Sequence, residues 1–275
     1  MNIKFLIATH KMYWFPSQKY YMPLHVGSEE KDDFGIMRDD TGVNISNKND
    51  NFCELTGMYW AWKNLQCDVI GICHYRRYFD FKRENKFIRQ RNICINNKSY
   101  IESCIEIDEA RIKQILNKYD MILPKHQYFI NGLEHQYLKI HKQDDLDKTI
   151  EIVTQIYPEY KNTLDQFCSM HNVYLYNMII CTKTIYDSYM EWLMPILFEL
   201  EHNIQVSEDS YQKRVIGFIS ERLLNWYLLQ NDLKVKELPI IMIEDKAVDK
   251  EILIQESWIT EILRQIKYKL INKEY

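Results

Sequence analysis

Two short runs, Ile3-Lys-Phe-Leu-Ile-Ala8 and Val69-Ile-Gly-Ile-Cys73, are apolar almost throughout and then turn abruptly polar. A strand with one wet face alternates apolar and polar residues, so runs without alternation belong to strands covered on both sides. Such strands need helices as cover, and helical periodicity lies between and after them. It is read over Leu55–Leu65, Glu109–Lys118, Leu146–Ile156, Tyr160–Met170, Lys183 to about Glu201 and Val215–Leu229. Further strands are expected at Met121–Pro124, at Tyr174–Cys181 and, as one or two, within Val235–Ile243. Alternating strands and helices predict an α/β sandwich. Pro195 is expected to kink or divide the helix that contains it. Residues 16–51 read as a long loop region, 80–100 as a mobile excursion, and 203–212 as a polar loop.

The chain has 275 residues, no internal repeat and no Gly- or Ser-rich linker, so one large domain is the simpler expectation. A net charge of −4 argues against a nucleic-acid partner. Seven cysteines, an odd number without a CxxC pair, speak against a disulfide framework or a structural zinc site. A reducing, cytoplasmic setting fits that pattern. The apolar start before His10 is too short for a signal-peptide core, and no run of about 18 apolar residues predicts a membrane span. Neither a Walker loop nor GxGxxG is present, which disfavours nucleotide chemistry through those loops.

Five clusters could carry chemistry. The second buried run delivers His74-Tyr75-Arg76-Arg77-Tyr78 at its carboxyl end, where α/β sheets gather ligands. Arginine's planar fork suits phosphate oxygens, although such a pair also serves ordinary ion pairing with Asp or Glu. Alternation lets only one of Arg76 and Arg77 face a ligand if the strand continues, leaving the other to brace the loop. The polar stretch from Asp39 to Asn49 offers hydrogen-bonding groups suited to sugar hydroxyls, uracil edges or a metal, but lacks calcium-loop spacing. On the following helix Thr56, Tyr59, Trp60 and Lys63 share a face, whereas Trp60 and Trp62 lie about 200° apart, so one of them is core. Tyr137, His141 and Asp145 recur at a four-residue spacing that would align them on one helical face. In the last helix Gly217 permits close approach. Glu221 could take a proton from a hydroxyl, or simply pair with an Arg on a solvated face. No Asp-x-Asp ends a hydrophobic strand.

Taken together these blocks resemble the bacterial DUF4422 family, which is associated with capsular and exopolysaccharide synthesis. They are IATHK (7–11), the Pro23–Gly27 turn, DDTGVNISNKN (39–49), CELTGMYWAWKN (53–64) and GICHYRRYF (71–79). The resemblance continues through YDMILPK (119–125), Tyr137/His141/Asp145, YNMIIC (176–181) and RVIGFISERLLNWYL (214–228). It implies a GT-A-like, Rossmann-type sandwich with a mixed central sheet flanked by helices. It also implies transfer of a hexose, galactose or galactofuranose, from a UDP-sugar to a growing lipid-linked glycan.

On the family's motif positions, donor binding falls to His10, Lys11, Asn44, Glu54, Lys63, His74, Arg76 and Arg77. The polar neighbours Thr9, Asp40, Ser46 and Asn49 join them. Tyr59, Trp60, Tyr137, His141, Asn177, Arg214 and Arg222 are expected around the sugar substrates. If the transfer inverts, Glu221 is the first candidate base and Glu54 the second. HYR stands about where such folds place a metal-binding Asp-x-Asp. Cationic side chains are therefore expected to replace a divalent metal at least in part, with His74 as a neutral ligand in a hybrid alternative. The same residues would serve a non-catalytic nucleotide-sugar or carbohydrate-binding module, or a sugar-phosphate transferase.

The expected domain ends near residue 245, and residues 246–275 are read as an amphipathic helical extension. There Trp258, Ile259, Ile262, Ile266 and Leu270 recur at helical spacing among Arg264, Lys267, Lys269 and Lys273. Such a helix can lie on the inner face of an anionic membrane, pack on its own domain, or join a second copy of the chain.

Overall fold

The computed structural model describes residues 1–83, 87–247 and 249–253. In chain order its first strands are Ile3–Thr9 (β1), Tyr21–His25 (β2), Met37–Arg38 (β3), Val69–His74 (β4), Arg77–Phe79 (β5) and Ile88–Cys94 (β6). Met121–Pro124 (β7) follows, then Gln127–Tyr128 (β8) and Asn172–Val173 (β9), which form a separate two-stranded ribbon. Ile180–Thr182 (β10), Val235–Leu238 (β11), Ile240–Glu244 (β12) and Asp249–Leu253 (β13) complete the set.

Eleven of these strands form one mixed sheet. Its main run is β3-β2-β1-β4-β10-β7-β11, with β10 the one strand laid antiparallel to its neighbours. A wing of β5-β12-β6-β13 leaves β4 through the tight turn that pairs His74 with Arg77. Only Pro239 separates β11, at one end of the main run, from β12 in the wing, so the wing folds back across the sheet. The Asp80 amide, donating to the Pro239 carbonyl at 2.8 Å, fastens that return.

Alternation along the two apolar runs divides the interior. Leu6, Ile70 and Ile72 face one core, covered by the helices Leu55–Asn64, Lys183–Asn203 and Val215–Gln230. Phe5, Ile7 and Cys73 face a second core, closed by Tyr78, Phe79 and Ile241 of the wing. Gly71 sits opposite Phe5 in the register, and a Cβ there would lie 2.5 Å from the Phe5 ring.

Five expectations are corrected. The segment 16–51 contains β2, which pairs parallel with β1. The segment 80–100 contains β6 and the start of the helix Lys98–Cys104; part of its charge is internalised, with Arg91 bonded to the fully buried Asp80 at 2.5 Å. Tyr160–Met170 is a 3₁₀ turn, Pro158–Thr163, followed by the helix Leu164–Ser169. Pro195 does not divide its helix, which runs unbroken from Lys183 to Asn203, so of the two outcomes expected there division is the one overturned. The expected extended run Tyr174–Cys181 shrinks to β10, because Tyr176 and Asn177 take positive φ angles of 84° and 50° and turn the chain.

The extension expected to be helical from 246 contains strand β13, antiparallel to β6. The spaced apolar and basic residues from Trp258 to Lys273 lie outside the described residues. Among the described residues, no helix is long and apolar enough to cross a membrane.

Candidate active site

β1 and β4 are parallel neighbours, so they end at one edge of the sheet, and the reversed β10 begins at that edge. A cleft of about 660 Å³ opens there. Thr9 and His10 enter it from the end of β1, and His74 to Arg77 from the turn between β4 and β5. Asn49, Cys53 and Glu54 come from the approach to the helix Leu55–Asn64, and Lys213, Arg214 and Glu221 from the approach and body of the helix Val215–Gln230.

One wall is cationic. The Arg77 guanidinium lies over the Tyr176 ring, 4.7 Å from its centroid, and Arg76 lies over Tyr75 at 5.2 Å. The nearest carboxylate to Arg76 is Asp245, at 4.0 Å in solvent. Arg214 donates to the Cys53 sulfur at 3.2 Å, and Lys213 reaches Asp50 at 2.7 Å. Burial, and then the charges of Lys11, Lys31, Arg214 and Arg76, hold the pKa of His10 below its ordinary value. The cations that contribute to this shift are also the groups that would attract an anion.

Two braced carboxylates lie beside these cations. Glu221 accepts the Tyr176 amide at 3.1 Å on one oxygen and Arg222 at 2.9 Å on the other. Burial, and then repulsion from Glu54, raises its pKa, while Arg222 opposes the rise. Asn177 donates to Glu54 at 2.8 Å and to Ser220 at 2.9 Å. His74 Nε2 lies 2.6 Å from the Tyr176 carbonyl, which can only accept, so Nε2 carries the proton and Nδ1 keeps a lone pair. Burial holds the pKa of His74 down, keeping it neutral. The left-handed Tyr176–Asn177 turn thus meets both carboxylates, the histidine and one arginine, and strain of this kind persists where the surroundings over-determine it. Cys53 is no nucleophile at neutral pH, since burial pushes its thiol up to about 12.

Of the expected donor residues, Thr9, His10, Asn49, Glu54, His74, Arg76 and Arg77 line the cleft, as do Arg214 and Glu221. The Thr9 hydroxyl is turned back onto the Lys11 carbonyl, and Lys11 stands 5.4 Å from the centre of the Tyr75 ring. The remaining candidates do not line it. Asp40 is tied to Arg38 at 2.7 Å, and Asn44 bonds to its own loop at Gly42 and Ser46. Ser46 is buried, donating to Asp39, which itself anchors Gly27 and Ser28. Lys63 stacks on Trp62, Tyr59 packs on Trp62 and Phe198, and the buried Trp60 donates to Thr41. Their helix presents only its first residues to the cleft; at 1.5 Å per residue Lys63 lies about 13 Å along it from Glu54.

Asn177 and Arg222 stand behind the carboxylates rather than in the cleft. Tyr137 and His141 form a layer behind Arg222, whose guanidinium lies 5.5 Å from the Tyr137 ring. Tyr137 ends one helix, Gly132–Leu138, and Asp145 begins another, Gln143–Ile156, so the three spaced residues share no helical face. Tyr75 and Tyr176 stood within the quoted motifs without a role of their own, and Asp50 and Lys213 were not anticipated. The one sequence signal near Tyr176 is Asn177, a residue type that tolerates left-handed backbone. Among the described residues no group of three His, Cys, Asp or Glu is placed to hold a metal ion, and the arrangement at the strand ends suits an anion.

A family model described as a domain of unknown function, DUF4422, matches residues 4–232. The chain belongs to the DUF4422 family. Every cleft residue from Ala8 to Glu221 falls inside the matched segment, while Met242 and its neighbour Asp245 come from beyond it. This DUF4422 chain is also similar to a solved apo structure of WbbM, a bifunctional glycosyltransferase, with a TM-score of 0.80 and 32% identity. The match covers 91% of the DUF4422 chain and 46% of WbbM, so the chain spans about half the length of that protein. No curated protein matches.

Proposed function

We propose that the protein is a glycosyltransferase that moves a hexose from a UDP-sugar, with galactose or galactofuranose as the sugar, to a growing lipid-linked glycan. The glycan is one of capsular, exopolysaccharide or lipopolysaccharide synthesis, and the protein works in the cytoplasm at the inner face of the membrane. The observation that carries the reading is the gathering, within one cleft, of Arg76, Arg77 and Arg214 with the braced carboxylates Glu54 and Glu221. Similarity to half of a bifunctional glycosyltransferase supports it.

In the reaction the bond between the sugar's anomeric carbon and the diphosphate oxygen breaks, and its electron pair leaves with UDP. Arg77 and Arg76 meet the charge that grows on that oxygen, which lowers the barrier because they are already in place. The acceptor hydroxyl oxygen forms the new bond. In an inverting transfer Glu221 takes the hydroxyl proton, and its raised pKa makes the carboxylate a better base. Glu54, held by Asn177, keeps a second oxygen for a sugar hydroxyl. The cations take over part of the work a divalent metal does in related chemistry. Activity abolished by EDTA and restored by manganese would overturn that part.

The deciding experiment is a screen of UDP-sugars with purified protein, scoring binding, slow hydrolysis and transfer. Release of UDP with a free or transferred hexose is expected for one donor. Binding without turnover would leave a non-catalytic module, and movement of a sugar phosphate would make the protein a sugar-phosphate transferase.

A further inference from the structure

Between the helices Lys183–Asn203 and Val215–Gln230 runs a polar segment that carries one large exposed ring, Tyr211, 46% exposed. This segment is tied down at several points. Asp209 accepts the amides of Tyr211 and Gln212 at 3.0 and 2.9 Å, Gln212 bonds the Ile140 carbonyl at 2.8 Å, and Lys213 pairs with Asp50. The ring itself rests on two others: Phe218 lies 4.9 Å from it, and His141 lies 6.1 Å away in a nearly parallel plane, 9° apart. His141 and Phe218 pack at 4.5 Å, with Tyr137 behind His141 at 4.7 Å. Three buried or half-buried rings therefore hold one ring with a face toward solvent.

The location gives that face a use. Ser210 and Lys213, on either side of Tyr211, line the cleft, and Arg214 lies over Phe218 at 5.3 Å. Phe218 precedes Glu221 by three residues in one helix, a rise of about 4.5 Å. Tyr211 itself stands outside the lining, so a sugar ring laid on it would sit at the rim of the cleft that holds the carboxylate expected to activate its hydroxyl. Pyranose and furanose faces present C–H groups that pack on an aromatic ring, while Ser210 offers a hydrogen bond to the hydroxyl edge.

We propose that Tyr211 is the stacking platform for a sugar of the acceptor glycan, an assignment that rests on the glycosyltransferase reading. Two measurements on the full chain test it. The first is saturation-transfer NMR with methyl β-galactopyranoside and methyl β-galactofuranoside, which needs no turnover. Signal from at least one glycoside is expected in the wild type, lost in Tyr211→Ala and kept in Tyr211→Phe and Tyr211→Trp. The second is transfer from the UDP-sugar found active to p-nitrophenyl hexosides. Tyr211→Ala should raise the acceptor KM about fivefold to tenfold, with donor KM and acceptor-independent hydrolysis unchanged. An unchanged acceptor KM, an equal rise in donor KM, or glycoside binding that survives Tyr211→Ala would overturn the platform. A wild type that binds glycosides through Tyr211 but neither binds nor hydrolyses any UDP-sugar would instead sink the transferase reading.

Discussion

Glu221→Gln is the sharpest perturbation of the site, because the side chain keeps its shape while losing its charge and one acceptor. The two carboxylate oxygens receive the Tyr176 amide at 3.1 Å and the Arg222 guanidinium at 2.9 Å. A glutamine offers one oxygen and one NH₂, so either way round it sets a donor against a donor. Losing a hydrogen bond to a charged partner costs about 1.5–3 kcal/mol. Removing a charge that burial disfavours returns part of it, leaving a net loss of about 1–3 kcal/mol. Against the ~5–15 kcal/mol that holds a domain together, the variant stays folded. Its melting temperature should fall by about 2–4 °C per kcal/mol. Loss of a general base lowers the rate by about 10²- to 10⁴-fold, far more than that destabilisation explains. The assay is kcat at saturating donor and acceptor, with UDP affinity by calorimetry and a thermal melt on the same preparation. A kcat within about threefold of wild type, in a protein whose melting point has shifted as expected, would refute the assignment of Glu221 as base.

If Glu221 must be ionised to act, the acid limb of kcat/KM lies above the ordinary glutamate value of about 4.3, since burial raises its pKa in the fold. Glu54→Gln removes the repelling charge and should shift that limb to lower pH, as read from a pH–rate profile. For stability the sign is opposite to that of a salt-bridged carboxylate: the folded state binds this proton more tightly, so Glu221's contribution is present at low pH and is lost as pH rises through its folded pKa. Arg77→Ala, which removes the guanidinium over Tyr176, should lower kcat/KM for the UDP-sugar by about 10²- to 10³-fold. Arg76→Ala should cost less than about tenfold in the same measurement, because its side chain is 39% exposed and already screened by solvent. Gly71→Ala sets a methyl 2.5 Å from the Phe5 ring and should destabilise the fold by about 1–3 kcal/mol in urea unfolding, with Phe5→Leu in the double variant restoring part of the loss.

The strands that build the edge of the site were legible because their apolar runs are unbroken and end sharply at His10 and His74. β2 escaped notice because Tyr-Met-Pro-Leu-His carries a proline and a histidine, although His25 is fully buried in the structure. β6 escaped because its arginines read as surface, whereas Arg91 is buried against Asp80. Helical periodicity correctly placed Leu55–Asn64 but reports a face, not which end of the helix meets the cleft, so Tyr59, Trp60 and Lys63 were grouped with Glu54. The polar stretch 39–49 had the composition of a ligand loop, yet Asp39 spends its oxygens on Gly27, Ser28 and Ser46 within the protein. The left-handed pair Tyr176–Asn177 follows from tertiary contacts with His74, Glu54 and Glu221, and Asn177 is its one local sign.

One strand of the main run, β10, points the other way from its neighbours. The edge that holds the cleft is therefore reached by chain travelling in both directions: β1 and β4 leave the sheet there, and the Tyr176–Asn177 turn arrives. Departing segments supply His10, Arg76 and Arg77, and the arriving segment fixes the carboxylates. Because that turn touches His74 and Arg77 of the loop leaving β4 as well as both carboxylates, a substitution in the stretch that feeds β10 moves acid and cation together.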